Sequence, residues 1–478
     1  MKHAKFLKNA AVISAGGLLA KGIGVLYRIP LANLLGGYGE GLYQMAYPLF
    51  CLMLTLSSAG VSTVVARAVA ARRAAGRMGG TLPAALRLFS LLGLGATALM
   101  LLLSRPVARL QGEEALVGCY LALAPAILPV AILCVLRGWW QGQGEMAPTA
   151  CSEIVEQLIK AGAGLLLASR FYAQPVRAAQ AALFAVALSE CAALLVVAFR
   201  TRERRCPLLP MRGGELFFSA LPAMTNAALL PLSGMLDSVL VVRLLARTTP
   251  RAVHLYGLFT GGALALVSLP ATLCCGFVAA AVPAVSAAGG GKEGAERALT
   301  ALAFTFAIAL PCAAGIFLFA PVIAGLLYPA LSAQDAEVLV RLLRLMCVSS
   351  AALAAVDTLA ACLTAMGRAK CAMRAMLCAV LCKAALQLLL VGKLGITGAA
   401  IAANGCYLVA FFLDLFYTVD TVKADRREKR HVVHHRTRNQ EGGSDAGRAC
   451  GASKSGRRRR AHRNAPLGGK LEGGGDRL

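Results

Sequence analysis

Long apolar runs separated by short polar connections make up most of the chain. A helix needs about 20 apolar residues to cross the hydrocarbon core of a bilayer, and twelve runs of this kind occur before residue 420. Each run is therefore predicted to be a transmembrane helix. The predicted spans are 10–34, 43–66, 84–104, 115–136, 148–169, 178–199, 216–242, 254–284, 298–327, 336–365, 372–391 and 395–418.

The composition agrees with this pattern. Of the 478 residues, 58% are hydrophobic and 15% are charged, and the mean hydropathy is +0.67. A soluble protein of this length carries far more charge, so the composition excludes a soluble globular protein. Most of the cysteines fall inside the apolar runs, where cysteine packs as a small hydrophobic residue. They indicate no redox role, and neither a cofactor nor a metal site is expected.

The positions of Lys and Arg predict how the chain is oriented in the membrane. Cationic connections stay in the cytoplasm, and with the N-terminus inside, the cytoplasmic segments hold most of the 49 Lys and Arg, as at 67–77 and 200–212. We therefore expect both termini in the cytoplasm. A signal peptide over residues 1–35 is the alternative, but cations interrupt its apolar run and no small-residue cleavage pattern follows it.

From Lys423 the chain becomes rich in Arg, Gly and His and holds no apolar run. Such a composition cannot bury a core, so residues 421–478 are predicted to be a disordered basic cytoplasmic tail, drawn weakly to anionic lipid. No aromatic residue accompanies the cations of this tail. Nucleic-acid binding is therefore not expected.

An internal repeat predicts two lobes. The segment LYQMAYPLFCLMLTLS at 42–57 aligns with LYGLFTGGALALVSLP at 255–270, and RGWWQGQGEMAPTA at 137–150 resembles CLTAMGRAKCAMRA at 362–375. The predicted fold class is an all-α integral membrane protein with about twelve helices in two six-helix lobes, residues 1–209 and 210–420. Six helices return the chain to its starting side, so the lobes are parallel repeats with a substrate site expected at their interface.

Three stretches resemble a known family. They are KGIGVLYRIPLANLLGGYGEGLYQMAYPLFCLMLTL, LRGWWQGQGEMAPTACSEIVEQLIK and LPLSGMLDSVLVVRLL. The sequence is similar over residues 5–420 to the stage V sporulation protein B and polysaccharide-biosynthesis branch of the multidrug/oligosaccharidyl-lipid/polysaccharide (MOP) exporter superfamily, which also contains the MurJ-type lipid II flippases. The resemblance implies a MATE-like fold, the bacterial cytoplasmic membrane and a transport role. Members of this branch usually carry two further helices where this chain has its basic tail, and in MurJ-type members those helices extend a lipid-facing groove. Either this member keeps the twelve-helix core alone, or the tail is an altered reading frame that replaces the last two helices.

Two cations stand in the first run. Lys21 and Arg28 are seven residues apart, so they share one face of a helix, and Pro30 is expected to bend that helix. An ionisable side chain in the membrane interior is costly unless it meets a partner or a wet cavity, which makes both cations candidates for substrate binding. In the alternative, both snorkel to the membrane surface or pair with Glu40.

Further charges lie within the later runs. Glu153, Glu156 and Lys160 occupy one face of the fifth run, where they form either an ion pair or part of a cavity wall. Arg137 is predicted to snorkel at a helix end. The candidate substrate-binding residues are Lys21, Arg28, Lys160, Arg243 and Lys383, and the candidate coupling or gating residues are Glu153, Glu156, Asp237 and Asp357.

The five cations favour an anionic substrate. A polyprenyl-pyrophosphate-linked oligosaccharide or peptidoglycan precursor fits, because its phosphates would seek cations while its lipid stays in the bilayer. The predicted function is a flippase that moves such a lipid-linked glycan from the inner to the outer leaflet, supplied by envelope-synthesis enzymes. A cation-coupled drug antiporter and a non-transporting scaffold are the alternatives. The chain has no P-loop, GxSxG or HExxH motif, so no enzyme is expected, and Na⁺ and H⁺ both stay open as coupling ions.

Overall fold

The structure, a computed structural model, describes residues 2–75, 80–202 and 213–421, and every regular element in these ranges is a helix. Two irregular pieces, the 3₁₀ turn Ala124–Ala126 and the π-helical segment Leu258–Leu264, connect α-helices. The helices are α1 Lys2–Ser58, α2 Val61–Ala74, α3 Thr81–Gln111, α4 Leu116–Leu123, α5 Ile127–Gly142, α6 Ala147–Arg170, α7 Pro175–Arg202, α8 Gly213–Ala227, α9 Leu229–Ala246, α10 Ala252–Gly257, α11 Ala265–Val267, α12 Leu269–Ala288, α13 Lys292–Leu327, α14 Ala333–Ala365, α15 Ala369–Leu394 and α16 Ile396–Thr421.

All twelve predicted runs fall on helices. Among the described residues, 10 helical stretches are long and apolar enough to cross a membrane. The first of them, Leu19–Ala74, contains the second predicted run and most of the first. The fifth predicted run is α6, whose Glu153, Glu156 and Lys160 make it less apolar than the others. The prediction of an all-α integral membrane protein is confirmed.

The first helix is interrupted at a glycine. Within α1, Gly36 has non-helical backbone angles of φ 63° and ψ 176°, whereas Pro30 and Pro48 lie inside regular helix. A positive φ is costly for residues with a Cβ and costs glycine little. The structure therefore places a break at Gly36, and the bend expected at Pro30 stays a prediction.

The predicted boundary between the lobes, at 209/210, lies outside the described residues, as does the predicted tail beyond residue 421. The division into lobes therefore stays a prediction. We call α1–α7 the N-terminal half and α8–α16, with the π-helical segment, the C-terminal half. The described helices of both halves belong to one compact unit, in which α1 packs against α9, α10 and the π-helical segment.

The largest buried cluster draws apolar residues from both halves. Leu42 and Tyr120 of the N-terminal half and Val241 and Leu342 of the C-terminal half are fully buried in it. Other leucines, such as Leu326, are exposed on the outside. Lipid is as apolar as these side chains, so close packing rather than escape from water holds such helices together.

Candidate functional site

A cavity of about 790 Å³ lies between the two halves. Helices α1, α5 and α6 line one side, and α11, α12, α14 and Tyr328 line the other. Eight charged side chains reach it, which is unusual for a membrane interior. They are Lys21, Arg28, Glu40, Arg137, Glu153, Glu156, Lys160 and Asp357.

The two cations of α1 both line this cavity. Lys21 Nζ donates a hydrogen bond to Cys275 Sγ of α12 at 2.9 Å, which joins the two halves. Arg28 has no hydrogen bond or ion pair with any residue that the structure describes, and neither cation lies within 4.0 Å of a Glu40 oxygen. The alternative in which they pair with Glu40 is therefore not what the structure shows. Both head groups are exposed to the cavity.

An ion-paired cluster forms the α6 wall. Glu156 Oε1 lies 3.6 Å from Lys160 Nζ, and Glu156 Oε2 lies 3.1 Å from Arg137 Nη2. Arg137 Nε also donates to Ser152 Oγ at 2.9 Å. The prediction that Arg137 snorkels at a helix end is wrong, because its guanidinium is anchored inside the cavity wall by α6. Glu153 lines the same wall.

Four buried carboxylates of the described residues were not among the predicted site residues. One of them, Asp335 of α14, is 6% exposed. Glu40 is 7% exposed, Glu190 of α7 is 8% exposed and Asp414 of α16 is 2% exposed. Glu190 interacts electrostatically with Glu156 and Lys160. Each is an acidic residue inside or beside an apolar run, and that signal was available in the sequence.

Two predicted residues pair with each other away from the cavity. Lys383 of α15 donates from Nζ to Asp237 Oδ2 of α9, and Gln387 Nε2 donates to Asp237 Oδ1 at 2.9 Å. Lys383 is 9% exposed and Gln387 is fully buried. The positive charge of Lys383 is thus neutralised inside the C-terminal half, and the structure does not bring either charge into the cavity lining.

Arg243 also lies outside the cavity lining. Its Nε donates to the carbonyl oxygen of Leu110 at 2.9 Å, and its Nη2 donates to that of Arg109. The last carbonyls of a helix lack partners within the helix, and cationic side chains satisfy them well. Arg243 therefore caps the end of α3. Asp357 does line the cavity, where it interacts electrostatically with Lys21.

The charge balance of the cavity differs from the sequence prediction. Lys383 and Arg243 are elsewhere, and the lining holds four cations, Arg137 included, and four carboxylates. The expected cationic excess is therefore wrong for the cavity as a whole. The cations are unevenly placed, however. Arg137 and Lys160 share Glu156, while Lys21 and Arg28 have no carboxylate within ion-pairing distance in the described residues.

Comparisons with known proteins place this geometry in context. Residues 6–288 match the protein family described as polysaccharide biosynthesis protein. The chain is 28% identical over 305 residues to stage V sporulation protein B of Bacillus subtilis (strain 168). The alignment covers 60% of this chain and 59% of that protein. It is 24% identical over 315 residues to the lipid II flippase MurJ of the same organism. This alignment covers 59% of this chain and 58% of that protein. The chain thus spans about three fifths of the length of these relatives.

Solved structures show the same fold. An inward-facing multidrug resistance MATE family transporter of the MOP superfamily superposes with a TM-score of 0.72 at 20% identity, covering 87% of this chain and 99% of that one. An outward-facing structure of such a transporter superposes with a TM-score of 0.62 at 19% identity. That superposition covers 88% of this chain and 96% of the other. The predicted MATE-like fold is confirmed.

Proposed function

Because the chain belongs to the polysaccharide biosynthesis protein family, we propose that it is a membrane flippase for a lipid-linked anionic glycan. In this proposal it works by alternating access, moving a polyprenyl-pyrophosphate-linked oligosaccharide or peptidoglycan precursor from the inner to the outer leaflet of the cytoplasmic membrane. Both termini are then in the cytoplasm. Its similarity to a protein named lipid II flippase supports this class of substrate.

The observation that carries the proposal is the pair of unpaired cations on α1. Lys21 and Arg28 face the cavity without a carboxylate partner in the described residues. Phosphate oxygens bind such groups strongly, and a guanidinium can hold two of them at once. The remaining lining provides Gln44, Gln157 and Glu153 for sugar hydroxyls. A cavity with this charged and polar lining can therefore hold the head group while the lipid tail stays between helices.

The direction of movement follows from charge. An inside-negative membrane potential favours outward movement of an anion by about 2.3 kcal/mol per charge per 100 mV. A substrate with two pyrophosphate charges would gain about twice that amount. This contribution suits a flippase that draws on the membrane potential, with ion gradients and substrate flux as further sources of energy.

Complementation tests the proposal. Wild type and the Lys21→Ala/Arg28→Ala variant are expressed at matched membrane levels in a strain depleted of its lipid II flippase. We expect wild type to rescue growth and the double variant to fail. The control is Arg341→Ala, because Arg341 is 63% exposed on α14 and pairs with Glu337 outside the cavity lining. If the double variant rescues growth to the wild-type level, the proposed phosphate-binding role of Lys21 and Arg28 is contradicted.

The four cavity carboxylates favour a second candidate, a cation-coupled drug antiporter. Glu153 and Asp357 line the cavity without an ion pair among the described residues, so a cationic substrate could bind them. An antiporter should lose drug resistance with Glu153→Gln/Asp357→Asn and tolerate Lys21→Ala/Arg28→Ala. A flippase should show the opposite, and a non-transporting scaffold should tolerate both.

A further inference from the structure

The two halves touch backbone to backbone along a line of glycines, which we call the glycine seam: Gly37 and Gly41 of α1 with Gly257 and Gly261 of the C-terminal half. A Cβ added to Gly257 would lie 2.1 Å from the carbonyl oxygen of Gly37. One added to Gly41 would lie 2.2 Å from the carbonyl oxygen of Val253. At Gly41 and Gly257 no side chain would fit, so the backbones of the two halves are in direct contact there.

Glu40 places a carboxyl group inside this seam. A Cβ at Gly261 would lie 2.2 Å from Glu40 Oε1, so the carboxyl rests directly on the Gly261 backbone. Oε1 accepts a hydrogen bond from Gln44 Nε2 at 2.8 Å, whereas Oε2 is buried and has no hydrogen-bond partner. The residue also borders the large cavity. Its free oxygen is thus closed off from water while the seam is shut.

The groups around Glu40 compensate only part of a negative charge. On its own helix, Arg28 interacts with it electrostatically but forms no ion pair, and Tyr27 and Tyr43 are neutral phenols. From the other half Tyr328 approaches, and the π-helical segment Leu258–Leu264 contributes no titratable side chain. An ionised carboxylate buried without a full set of partners costs several kcal/mol. A bound proton removes that cost.

A second titratable cluster lies nearby on the same seam. His254 of α10 packs against Gly37, since a Cβ there would lie 2.6 Å from the His254 ring. The His254 Nε2 atom is 3.0 Å from Asp335 Oδ1, to which Arg251 also donates at 2.6 Å. This histidine therefore has its own counter-charge. The experiment must distinguish an effect of its titration from an effect of Glu40.

Two backbone irregularities border the seam. Gly36, one residue before it, carries the break in α1 at φ 63°, and the C-terminal side of the seam runs into the π-helical segment Leu258–Leu264. Breaks and π-helical turns are positions where a helix changes direction and where functional sites occur. We propose that Glu40 is a proton-binding site that couples opening of the glycine seam to release of one proton. In the closed seam the carboxyl carries H⁺ on Oε2; when the seam opens, that O–H bond breaks and the proton passes to cavity water.

The sign of the pH dependence follows from this order. The closed state binds one proton more than the open state, so acid stabilises the closed seam and rising pH favours opening. While Glu40 titrates, the ratio of open to closed seam should rise up to about tenfold per pH unit, the limit for one released proton. This inference goes beyond the proposed function, since it concerns a coupling ion and holds for any substrate.

Hydrogen exchange in lipid nanodiscs tests the inference without any substrate. The full chain is compared between pH 5 and pH 8, and the amide exchange of 37–47 and 253–264 is corrected for the intrinsic dependence on pH. Wild type should show seam opening that increases with pH. Glu40→Gln keeps the shape of the protonated side chain, so it should stay protected at every pH.

Two controls complete the experiment. Glu293→Gln removes an exposed carboxylate of α13 outside the cavity lining and should leave the wild-type pH dependence in place. Glu40→Asp keeps a titratable carboxyl group, so its seam opening should still increase with pH. A wild-type seam whose opening does not change with pH would overturn the inference. So would an unchanged slope in Glu40→Gln, which would assign the titration to His254 instead.

Discussion

The pair Asp237–Lys383 allows a stability prediction to be worked from the structure. Replacing Lys383 with Met keeps an unbranched side chain of similar length and removes the ammonium from Asp237 Oδ2. Removing one partner of a buried ion pair costs about 3–5 kcal/mol, because the other charge is left behind. Asp237 keeps the hydrogen bond from Gln387 Nε2 at 2.9 Å and its side chain is 19% exposed. The loss should therefore fall near the lower limit, about 3 kcal/mol.

The double variant Asp237→Asn/Lys383→Met separates charge burial from packing. With both charges gone, no carboxylate is left uncompensated, and such replacements are often neutral. We expect the double variant to be more stable than Lys383→Met by about 2 kcal/mol. The measurement is the free energy of unfolding in mixed micelles titrated with SDS, with helix content as the signal.

The control is Lys393→Met on the same helix. Lys393 is exposed in the last turn of α15, where a cation contributes no more than about 1 kcal/mol through the helix dipole. If Lys383→Met and Lys393→Met unfold at the same SDS fraction, the buried pair does not stabilise the C-terminal half. If the double variant is less stable than Lys383→Met, the loss comes from packing and the electrostatic reasoning is refuted.

Two further predictions concern contacts between helices. Gly41→Ala should push α1 away from Val253, because forced overpacking costs about 1–3 kcal/mol. Hydrogen exchange at 253–264 should then rise by about tenfold or more. The control is Gly95→Ala, where a Cβ meets nothing within 4 Å, and it should change this exchange little. Gln111 is fully buried and joins Met45, Tyr120 and Ser238 by hydrogen bonds. Gln111→Leu should lower the free energy of unfolding by about 1–3 kcal/mol, and an SDS titration that matches wild type would contradict this.

The elements of this fold could be read from the sequence because a membrane helix is defined locally. All twelve apolar runs became helices, as length and composition required. The pairing within α6 was also accessible, since Glu156 and Lys160 are one turn apart on one helix and lie 3.6 Å apart in the structure. The same holds for Lys21 and Arg28, which seven-residue spacing put on one face and the structure put in one cavity.

The exact position of the break in α1 was less accessible. The predicted spans stop at 34 and resume at 43, so the sequence placed a connection between two helices there, besides a bend at Pro30. A proline can be accommodated within a helix, whereas a positive φ at one position needs a glycine. The structure instead continues α1 through this stretch with a break at Gly36, and the following Gly37 and Gly41 pack directly on the C-terminal half.

What the sequence by itself determined is the class of protein, the apolar segments that become helical, and the presence of charges that lipid cannot tolerate alone. The tertiary structure decided what each charge does. Arg137 meets Glu156, Lys383 meets Asp237 146 residues away, Arg243 caps α3, and Glu40 is shut into a glycine seam. The reason is physical: the energy of a buried charge depends on which atoms from other helices lie within a few ångströms, and helix packing, not spacing along the chain, sets those distances.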